Sequence, residues 1–140
     1  MDNSYKHRLD LQMRFKDIDL FGHVNNNVYF EYFDLGKVRY IEATLAELFN
    51  PHADAAVVAN INCDFLRPTL PDESLAVETR TDALGEHSFT LKQRVLNTLT
   101  GEVKCEATVV MVCFDTRTGK SKVIPDAWKE RITNYENSLI

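Results

Sequence analysis

The sequence lacks long hydrophobic runs, because no stretch of its 140 residues approaches the roughly 18 apolar residues that a membrane-spanning helix needs. The first ten residues, MDNSYKHRLD, have no apolar core of the kind found in signal peptides. We therefore expect a cytoplasmic protein without a membrane span. The charged fraction of 26% and the aromatic fraction of 10% are ordinary and exclude long disorder and collagen-like sequence.

The sequence has few cysteines and no excess of positive charge. The three cysteines, Cys63, Cys105 and Cys113, are odd in number and lie among apolar neighbours, which favours packed, reduced thiols over a disulfide framework. No spacing of His, Cys, Asp and Glu resembles a zinc site, so no metal or cofactor is expected. The net charge of -5 argues against a nucleic-acid partner.

The length predicts a single domain over residues 1–140, in which 44% of the residues are hydrophobic. A chain of this size buries about two-thirds of its unfolded surface, which is enough for one core. A large ligand site is therefore expected to need a subunit interface.

Alternation of apolar and polar residues predicts five strands, over residues 9–16, 57–65, 75–81, 89–95 and 103–114. The last of them becomes apolar on both faces after Val109, which is typical of a central strand or one that lies against a partner. The connections between the last three strands are short and contain Gly85 and Gly101, and this predicts an antiparallel meander.

The period changes to that of a helix between the first two strands. From Val28 onward the residues are apolar almost all round a helical wheel, which predicts a long buried helix with a narrow polar stripe. One of three asparagines would cap its N-terminus, and Pro125 opens a second helical pattern. The stripe comprises Asn27, Glu31, Asp34 and Lys37. The predicted fold class is α+β, an antiparallel sheet of about five strands around one long helix.

The segment 14–29, RFKDIDLFGHVNNNVY, lies where the first strand stops and the helix begins. It places the carboxylate of Asp19 next to a helix N-terminus, whose free N–H groups and dipole can polarise a carbonyl and stabilise an oxyanion. Asp19 could attack that carbonyl or activate water towards it, and the residues alone do not choose between the two. Asp17 and Asp19 would also suit a simple turn after a strand, and Asp17 keeps that structural interpretation.

This segment, with Tyr32-Phe33-Asp34, Arg39 and the Asp64-Phe65-Leu66-Arg67-Pro68 strand ending, resembles the hotdog-fold acyl-CoA thioesterases of the 4-hydroxybenzoyl-CoA thioesterase family. The resemblance covers roughly residues 8–135. It implies that Asp19 is the catalytic carboxylate and that the backbone N–H of Asn26 polarises the thioester carbonyl. Some members of the family have a His where this chain has Asn26.

The resemblance and the local chemistry also suggest residues that contact the substrate. His23 is expected to shape the loop by hydrogen bonding, and Asp34 to support the site from the helix. Ser88 is expected near the substrate of an adjacent subunit, and its sequence context makes it an improbable nucleophile. Arg67 could hold coenzyme A phosphates together with the basic run Arg117, Lys120 and Lys122, although solvated hairpin charges explain that run equally well. The full set of predicted substrate contacts is His23, Asn25, Asp34, Arg67 and Ser88. The acyl chain could be lined by Phe21, Tyr29, Phe33 and Phe65, although aromatic residues at such positions are more often plain core.

The implied activity is hydrolysis of an acyl-CoA to a free acid and coenzyme A by a homodimer or a dimer of dimers, with each site at a subunit interface. Val110, Val112 and Phe114 are the surface that we expect a second copy to cover. One alternative on the same fold is hydration or dehydration of an acyl thioester, which the absence of proline after His23 disfavours. Another is a non-catalytic acyl-CoA sensor, which would leave the carboxylate of Asp19 unexplained.

Overall fold

The computed structural model describes residues 3–138 and confirms the predicted α+β architecture, a five-stranded antiparallel sheet with one long helix packed on its inner face. The elements are β1 (His7–Leu11), α1 (Asn26–Thr44), β2 (Asp54–Phe65), β3 (Leu75–Leu84), β4 (Ser88–Asn97), β5 (Val103–Asp115) and α2 (Asp126–Asn137). Between residues 3 and 138, neither helix has the length and apolar character needed to cross a bilayer.

The sheet has the strand order β1-β3-β4-β5-β2. The predicted meander of β3, β4 and β5 is confirmed, with antiparallel pairing throughout. β5 lies between β4 and β2, as its apolar faces indicated, and β2 is an edge strand of 12 residues. Val110, Val112 and Phe114 are half-buried on the outer face of the sheet, so a second copy would have to cover them from that side.

Helix α1 begins two residues before Val28 and packs on the sheet through a face that includes Phe33, Gly36 and Tyr40. Gly36 permits the close approach, since a Cβ at this position would lie 2.9 Å from Cγ2 of Val77 on β3. The contact therefore requires a residue without a side chain.

The predicted polar stripe of α1 is wrong at one position. Lys37 is buried, with 9% of its side chain exposed, and its ammonium lies 3.2 Å from the carboxylate of Asp34. Leu35 and Val38 are instead about half-exposed. The close contact at Gly36 rotates the buried face toward Lys37, whose long apolar stem can be covered while its charge reaches an acid.

Helix α2 confirms the helical pattern predicted after Pro125, and it closes one end of the core. Its Trp128 and Ile132 are each 1% exposed. Near its C-terminus the buried carboxylate of Glu136 accepts hydrogen bonds from the hydroxyl of Tyr40 on α1 and from the backbone N–H of Thr81, at 3.0 Å, on β3. These contacts join α2 to the middle of the sheet and to the long helix.

The first strand ends at Leu11, five residues earlier than predicted, and Phe15 is fully exposed rather than turned toward the core. Asp17 causes the change. Its carboxylate accepts hydrogen bonds from the backbone N–H of Arg14 at 2.9 Å and from Nε of Arg14 at 3.1 Å, which folds Phe15–Asp17 into a 3-10 turn. A local side-chain contact here outcompetes the strand pattern.

Asp17 also connects this turn to the long helix. Its side chain is fully buried and accepts a hydrogen bond from the hydroxyl of Tyr32 at 2.8 Å, while its backbone oxygen accepts from the N–H of Asn25 at 2.9 Å. Burial raises the pKa of the carboxyl, but the bonds from Arg14 and Tyr32 outweigh it, so the pKa of Asp17 lies below its ordinary value. Asp17 therefore has the structural role that the sequence indicated.

Replacing this carboxylate should destabilise the fold in a pH-dependent way. We expect Asp17→Asn to lower the free energy of unfolding at pH 7 by about 1–3 kcal/mol, because Arg14 and the buried hydroxyl of Tyr32 lose their charged acceptor. A lowered folded pKa stabilises the protein above the unfolded value, near 4, and the contribution disappears as the pH falls through the folded pKa. The difference from the unmodified chain should therefore shrink at acidic pH, as measured by urea unfolding with the buried Trp128 as fluorescent probe.

The exposed Asp10 of β1 provides the control. Asp10→Asn should leave the free energy of unfolding within about 0.5 kcal/mol of the unmodified value. A deficit in Asp17→Asn that stayed constant from pH 7 to pH 3 would show that the charge of Asp17 is not the stabilising element.

Candidate active site

The loop that carries Asp19 is a tight reversal between Ile18 and Val24, which form an antiparallel bridge. The N–H of Asp19 donates to the backbone oxygen of His23 at 3.0 Å, and the N–H of Gly22 donates to that of Asp19 at 3.0 Å. Gly22 has φ of +82°, a conformation that favours glycine. The loop holds the backbone of Asp19 firmly in place.

Within residues 3–138 the side chain of Asp19 has one partner, the N–H of Phe21, which donates to Oδ1 at 2.9 Å. Oδ2 has no hydrogen-bond donor from that part of the chain. The carboxylate is half-buried and keeps one oxygen available for chemistry. This contrasts with Asp17, whose carboxylate is occupied by internal donors.

The N-terminus of α1 presents a free donor beside this loop. Asn25 is the N-cap residue, and its side-chain oxygen accepts from the N–H of Asn27 at 2.9 Å. The N–H of Asn26, the first residue of the helix, has no acceptor among residues 3–138. A free N–H at the positive end of a 19-residue helix dipole is suited to polarise a carbonyl.

Asp19 and Asn26 line one cleft of about 500 Å³. Of the residues predicted to contact substrate, the cleft also brings together His23, Asn25 and Arg67. One wall is apolar and aromatic and includes Phe21, Tyr29 and Phe65, three of the four aromatic residues that the sequence suggested as lining. The complete lining is Asp19, Phe21, His23, Val24, Asn25, Asn26, Tyr29, Phe65, Leu66, Arg67 and Pro68.

Two of the predicted substrate contacts lie outside the cleft of a single chain. Asp34 is exposed on α1 and forms an ion pair with Lys37. Ser88 begins β4, where its backbone oxygen accepts from the N–H of Gly85 at 2.8 Å. Phe33, the fourth suggested lining residue, is fully buried in the core.

The basic residues suggested for phosphate binding also lie in two different places. Arg67 is exposed on the wall of the cleft and has no carboxylate partner among residues 3–138. Arg117 and Lys122 are instead paired with Asp115 and Asp54 near the end of β5.

A second cavity of about 390 Å³ lies on the other side of Asp19, which is the residue that both cavities share. Its lining includes Met13, Phe15 and Ile18. Leu20 and Phe21 in the adjacent loop are 99% and 82% exposed. The candidate catalytic carboxylate is thus surrounded by apolar side chains that a single chain leaves uncovered.

Sequence reasoning missed Thr69, which is fully buried behind the cleft. Its side-chain oxygen is 2.7 Å from the hydroxyl of Tyr29, and its backbone oxygen accepts from the N–H of Val24 at 3.0 Å. Burial raises the pKa of Tyr29 above its ordinary value, so this phenol is neutral at pH 7 as a free tyrosine would be. No pattern near residue 69 signals these contacts, because their partners are 40 or more positions away.

The thiols show no sign of a catalytic role. Burial raises the pKa of Cys63 and Cys113, and it raises that of Cys105 to about 12. All three cysteines are free and lie in β2 or β5, consistent with the predicted packed thiols. A thiol with a raised pKa is a poor nucleophile at neutral pH.

Comparison with known proteins found a family model and relatives that match most of this chain. The family model of the thioesterase-like superfamily matches residues 13–132. The long-chain acyl-CoA thioesterase FadM of Escherichia coli K12 is 26% identical over 123 residues, which cover 87% of this chain and 93% of FadM. The uncharacterized protein YsmA of Bacillus subtilis 168 is 34% identical over 122 residues, covering 87% of this chain and 82% of YsmA.

The structural comparison extends over nearly the whole chain. A thioesterase of Thermus thermophilus, whose crystal structure contains coenzyme A and Zn, superposes with a TM-score of 0.85 at 31% identity, covering 99% of this chain and 100% of that one. The probable thioesterase YbaW of Escherichia coli, at 24% identity, has the same fold, with a TM-score of 0.83 and coverage of 93% and 98%. The sequence match over residues 13–132 and the shared fold lead to one conclusion: the chain belongs to the thioesterase-like superfamily and is a thioester hydrolase with the hotdog fold.

Proposed function

We propose that the protein hydrolyses acyl-CoA thioesters in the cleft between the Asp19 loop and the start of α1. One cleft contains a carboxylate oxygen of Asp19 without a donor and a helix N-terminal N–H without an acceptor, as far as the described residues 3–138 extend, and this observation carries the proposal. Acyl transfer needs these two elements, a base or nucleophile and a donor for the developing oxyanion. The similarity to FadM supports an acyl-CoA substrate.

In the proposed reaction the thioester oxygen accepts a hydrogen bond from the N–H of Asn26, which draws electrons from the carbonyl carbon. Asp19 then acts by one of two routes. As a general base it takes a proton from water, whose oxygen attacks the carbonyl carbon; as a nucleophile it forms an acyl anhydride that water cleaves. Both routes break the carbon–sulfur bond and release coenzyme A and a free acid.

The other cleft residues suit substrate binding. The guanidinium of Arg67 has no carboxylate partner within residues 3–138 and lies on the exposed wall, where it can form paired hydrogen bonds with coenzyme A phosphates. His23 and Asn25 complete the polar end. The backbone oxygen of His23 accepts within the loop, and the side-chain oxygen of Asn25 caps the helix. Phe21, Tyr29 and Phe65 provide an apolar wall for the acyl group.

We further propose that the working form is a homodimer or a dimer of dimers. On the described chain β2 pairs only with β5, so its other edge offers unpaired backbone groups along 12 residues. Val57 on this strand is 51% exposed and lies opposite Val112 of the outer face. Long exposed edges with apolar side chains are typical of strands that pair with another chain. A second copy would also be able to shelter the apolar groups around Asp19, and Asp34 and Ser88 could then approach a neighbouring site.

Asp19→Asn is expected to lower kcat at least about 1,000-fold, because the amide can neither accept the water proton nor attack the carbonyl. Binding of the acyl-CoA and the unfolding transition should stay close to those of the unmodified protein. Thiol release from acyl-CoAs that range from acetyl to long-chain and aromatic acyl groups measures the activity.

Asp10→Asn, an exposed change on β1, is the matched control and should retain full activity. Undiminished hydrolysis by Asp19→Asn would refute the catalytic assignment. If the unmodified protein binds acyl-CoA tightly but releases no thiol from any of these acyl-CoAs, the result would favour the alternative of a non-catalytic acyl-CoA sensor.

The subunit proposal is tested by charging the free edge. Val57→Lys should shift the protein toward the monomer in sedimentation velocity and lower kcat/KM about tenfold or more, because an ammonium on the edge disfavours strand pairing. Leu99→Lys is the control, since Leu99 is 83% exposed in the turn between β4 and β5. An unmodified chain that sediments as an active monomer would contradict the proposed dimer.

A further inference from the structure

One wall of the cleft is a short segment, residues 66–70, which we call the wall segment. Leu66, Arg67 and Pro68 face the cleft, and the buried Thr69 lies behind it. Through Thr69 the wall segment is bonded to the hydroxyl of Tyr29, in the first turns of α1, and to the backbone N–H of Val24, at the end of the Asp19 loop. A shift of the wall segment would therefore move both the start of α1 and the Asp19 loop.

Lys104 on β5 makes three hydrogen bonds to the wall segment. Its backbone oxygen accepts from the N–H of Leu66 at 2.8 Å and from the N–H of Arg67 at 3.1 Å. Its side-chain ammonium donates to the backbone oxygen of Pro68 at 3.3 Å. Three consecutive residues of the wall are thus bonded to one residue, none of whose atoms lines the cleft.

The side chain of Lys104 is only 3% exposed, so its charge needs compensation. The carboxylate of Glu73 lies 2.6 Å from the ammonium, and Glu102 forms a second ion pair with it. Glu73 also accepts from the N–H of Leu70 at 2.7 Å and from Nδ2 of Asn97 at 2.9 Å. The same carboxylate that neutralises Lys104 therefore holds the far end of the wall segment.

The contacts of Lys104 and Glu73 favour the charged form of both side chains. Burial lowers the pKa of Lys104, but the bonds to Glu102 and Glu73 outweigh it and hold the pKa above the ordinary lysine value. Burial likewise raises the pKa of Glu73, but the bonds from Lys104, Leu70 and Asn97 place it below the ordinary value. Both side chains are charged at neutral pH.

We propose that Lys104 is a positioning residue of the thioesterase site, which acts through the wall segment on the placement of Asn26 and Asp19. The inference rests on the proposed function. The chain of contacts runs from Lys104 to Pro68, then from Thr69 to Tyr29 and Val24. Displacement of catalytic groups by as little as 1 Å from a distant change can lower a rate by about 100-fold. A buried ion pair remote from the substrate can therefore control turnover.

The test is Lys104→Met, which keeps the length and apolar stem of the side chain and removes its charge and donors. We expect kcat/KM for the best acyl-CoA of the panel to fall between about 10- and 100-fold, with part of the loss in kcat. The backbone oxygen at position 104 still accepts from Leu66 and Arg67 in this variant, but loss of the side-chain bond to Pro68 should loosen the wall segment. Amide hydrogen exchange at Leu66, Arg67 and Val24 should therefore become at least several-fold faster.

Lys92→Met is the matched control. Lys92 lies on the outer face of the sheet, on the neighbouring strand β4, and its ammonium donates to the hydroxyl of Thr108 at 2.7 Å. This variant should show unchanged kcat/KM and unchanged exchange at the three amides. A folded Lys104→Met protein with the same kcat/KM and exchange rates as Lys92→Met would overturn the proposal. So would a loss of thermal stability with kcat unaffected well below the melting temperature.

If Lys104→Met does not fold, the variant Thr69→Val tests the proposal instead. This substitution removes the bond to Tyr29 while keeping the shape of the side chain and every buried charge. A several-fold lower kcat with faster exchange at Val24 supports the proposal, and unmodified values for both overturn it. Failure of the proposed function is distinguishable, because the unmodified protein would then release no thiol, whereas the exchange rates of the variants would still report on the wall segment.

Discussion

The buried carboxylate of Asp17 is the constraint on which the geometry of the site depends. An ionised group without water is stable only when internal donors satisfy it, and here Arg14 and Tyr32 provide them. Those donors lie on both sides of Asp17 in the sequence, so the chain must turn back on itself at this point. The backbone oxygen of Asp17 in turn accepts from Asn25 at the N-cap. The turn and the helix start are thus set by one residue.

Asp19 depends on this arrangement, although it contributes little to it. Two residues after the buried carboxylate, the chain emerges in a tight loop, in which one oxygen of Asp19 has no donor in the part of the chain that the structure describes. Its position beside the free N–H of Asn26 follows from the contacts of its neighbours. Of the two carboxylates in this short motif, the chain itself satisfies that of Asp17, whereas Asp19 is the one proposed to take part in the chemistry.

Much of the fold could be predicted because it depends on local periods. The five strands, the meander and α1 follow from periods of 2 and 3.6 residues and from short turns. The errors occur where a specific contact outcompetes the period. Phe15 continues the alternation of β1 yet is fully exposed, because Asp17 draws the chain into a 3-10 turn. Lys37 falls on the polar stripe yet is buried, because the contact at Gly36 sets the rotation of the helix.

The candidate site, like the fold, has a part that could be predicted from the sequence and a part that could not. Asp19, His23, Asn25 and Asn26 occur within eight consecutive residues, so a loop followed by a helix must bring them near one another, and the sequence alone determined that carboxylate and helix N-terminus meet. Only the tertiary structure decided what lies behind and across from them. Thr69 and Lys104 reach the site through pairings between segments tens of residues apart, and no local pattern encodes such distances. One short segment of the sequence determines which chemical groups meet at this site, and long-range packing determines the walls around them.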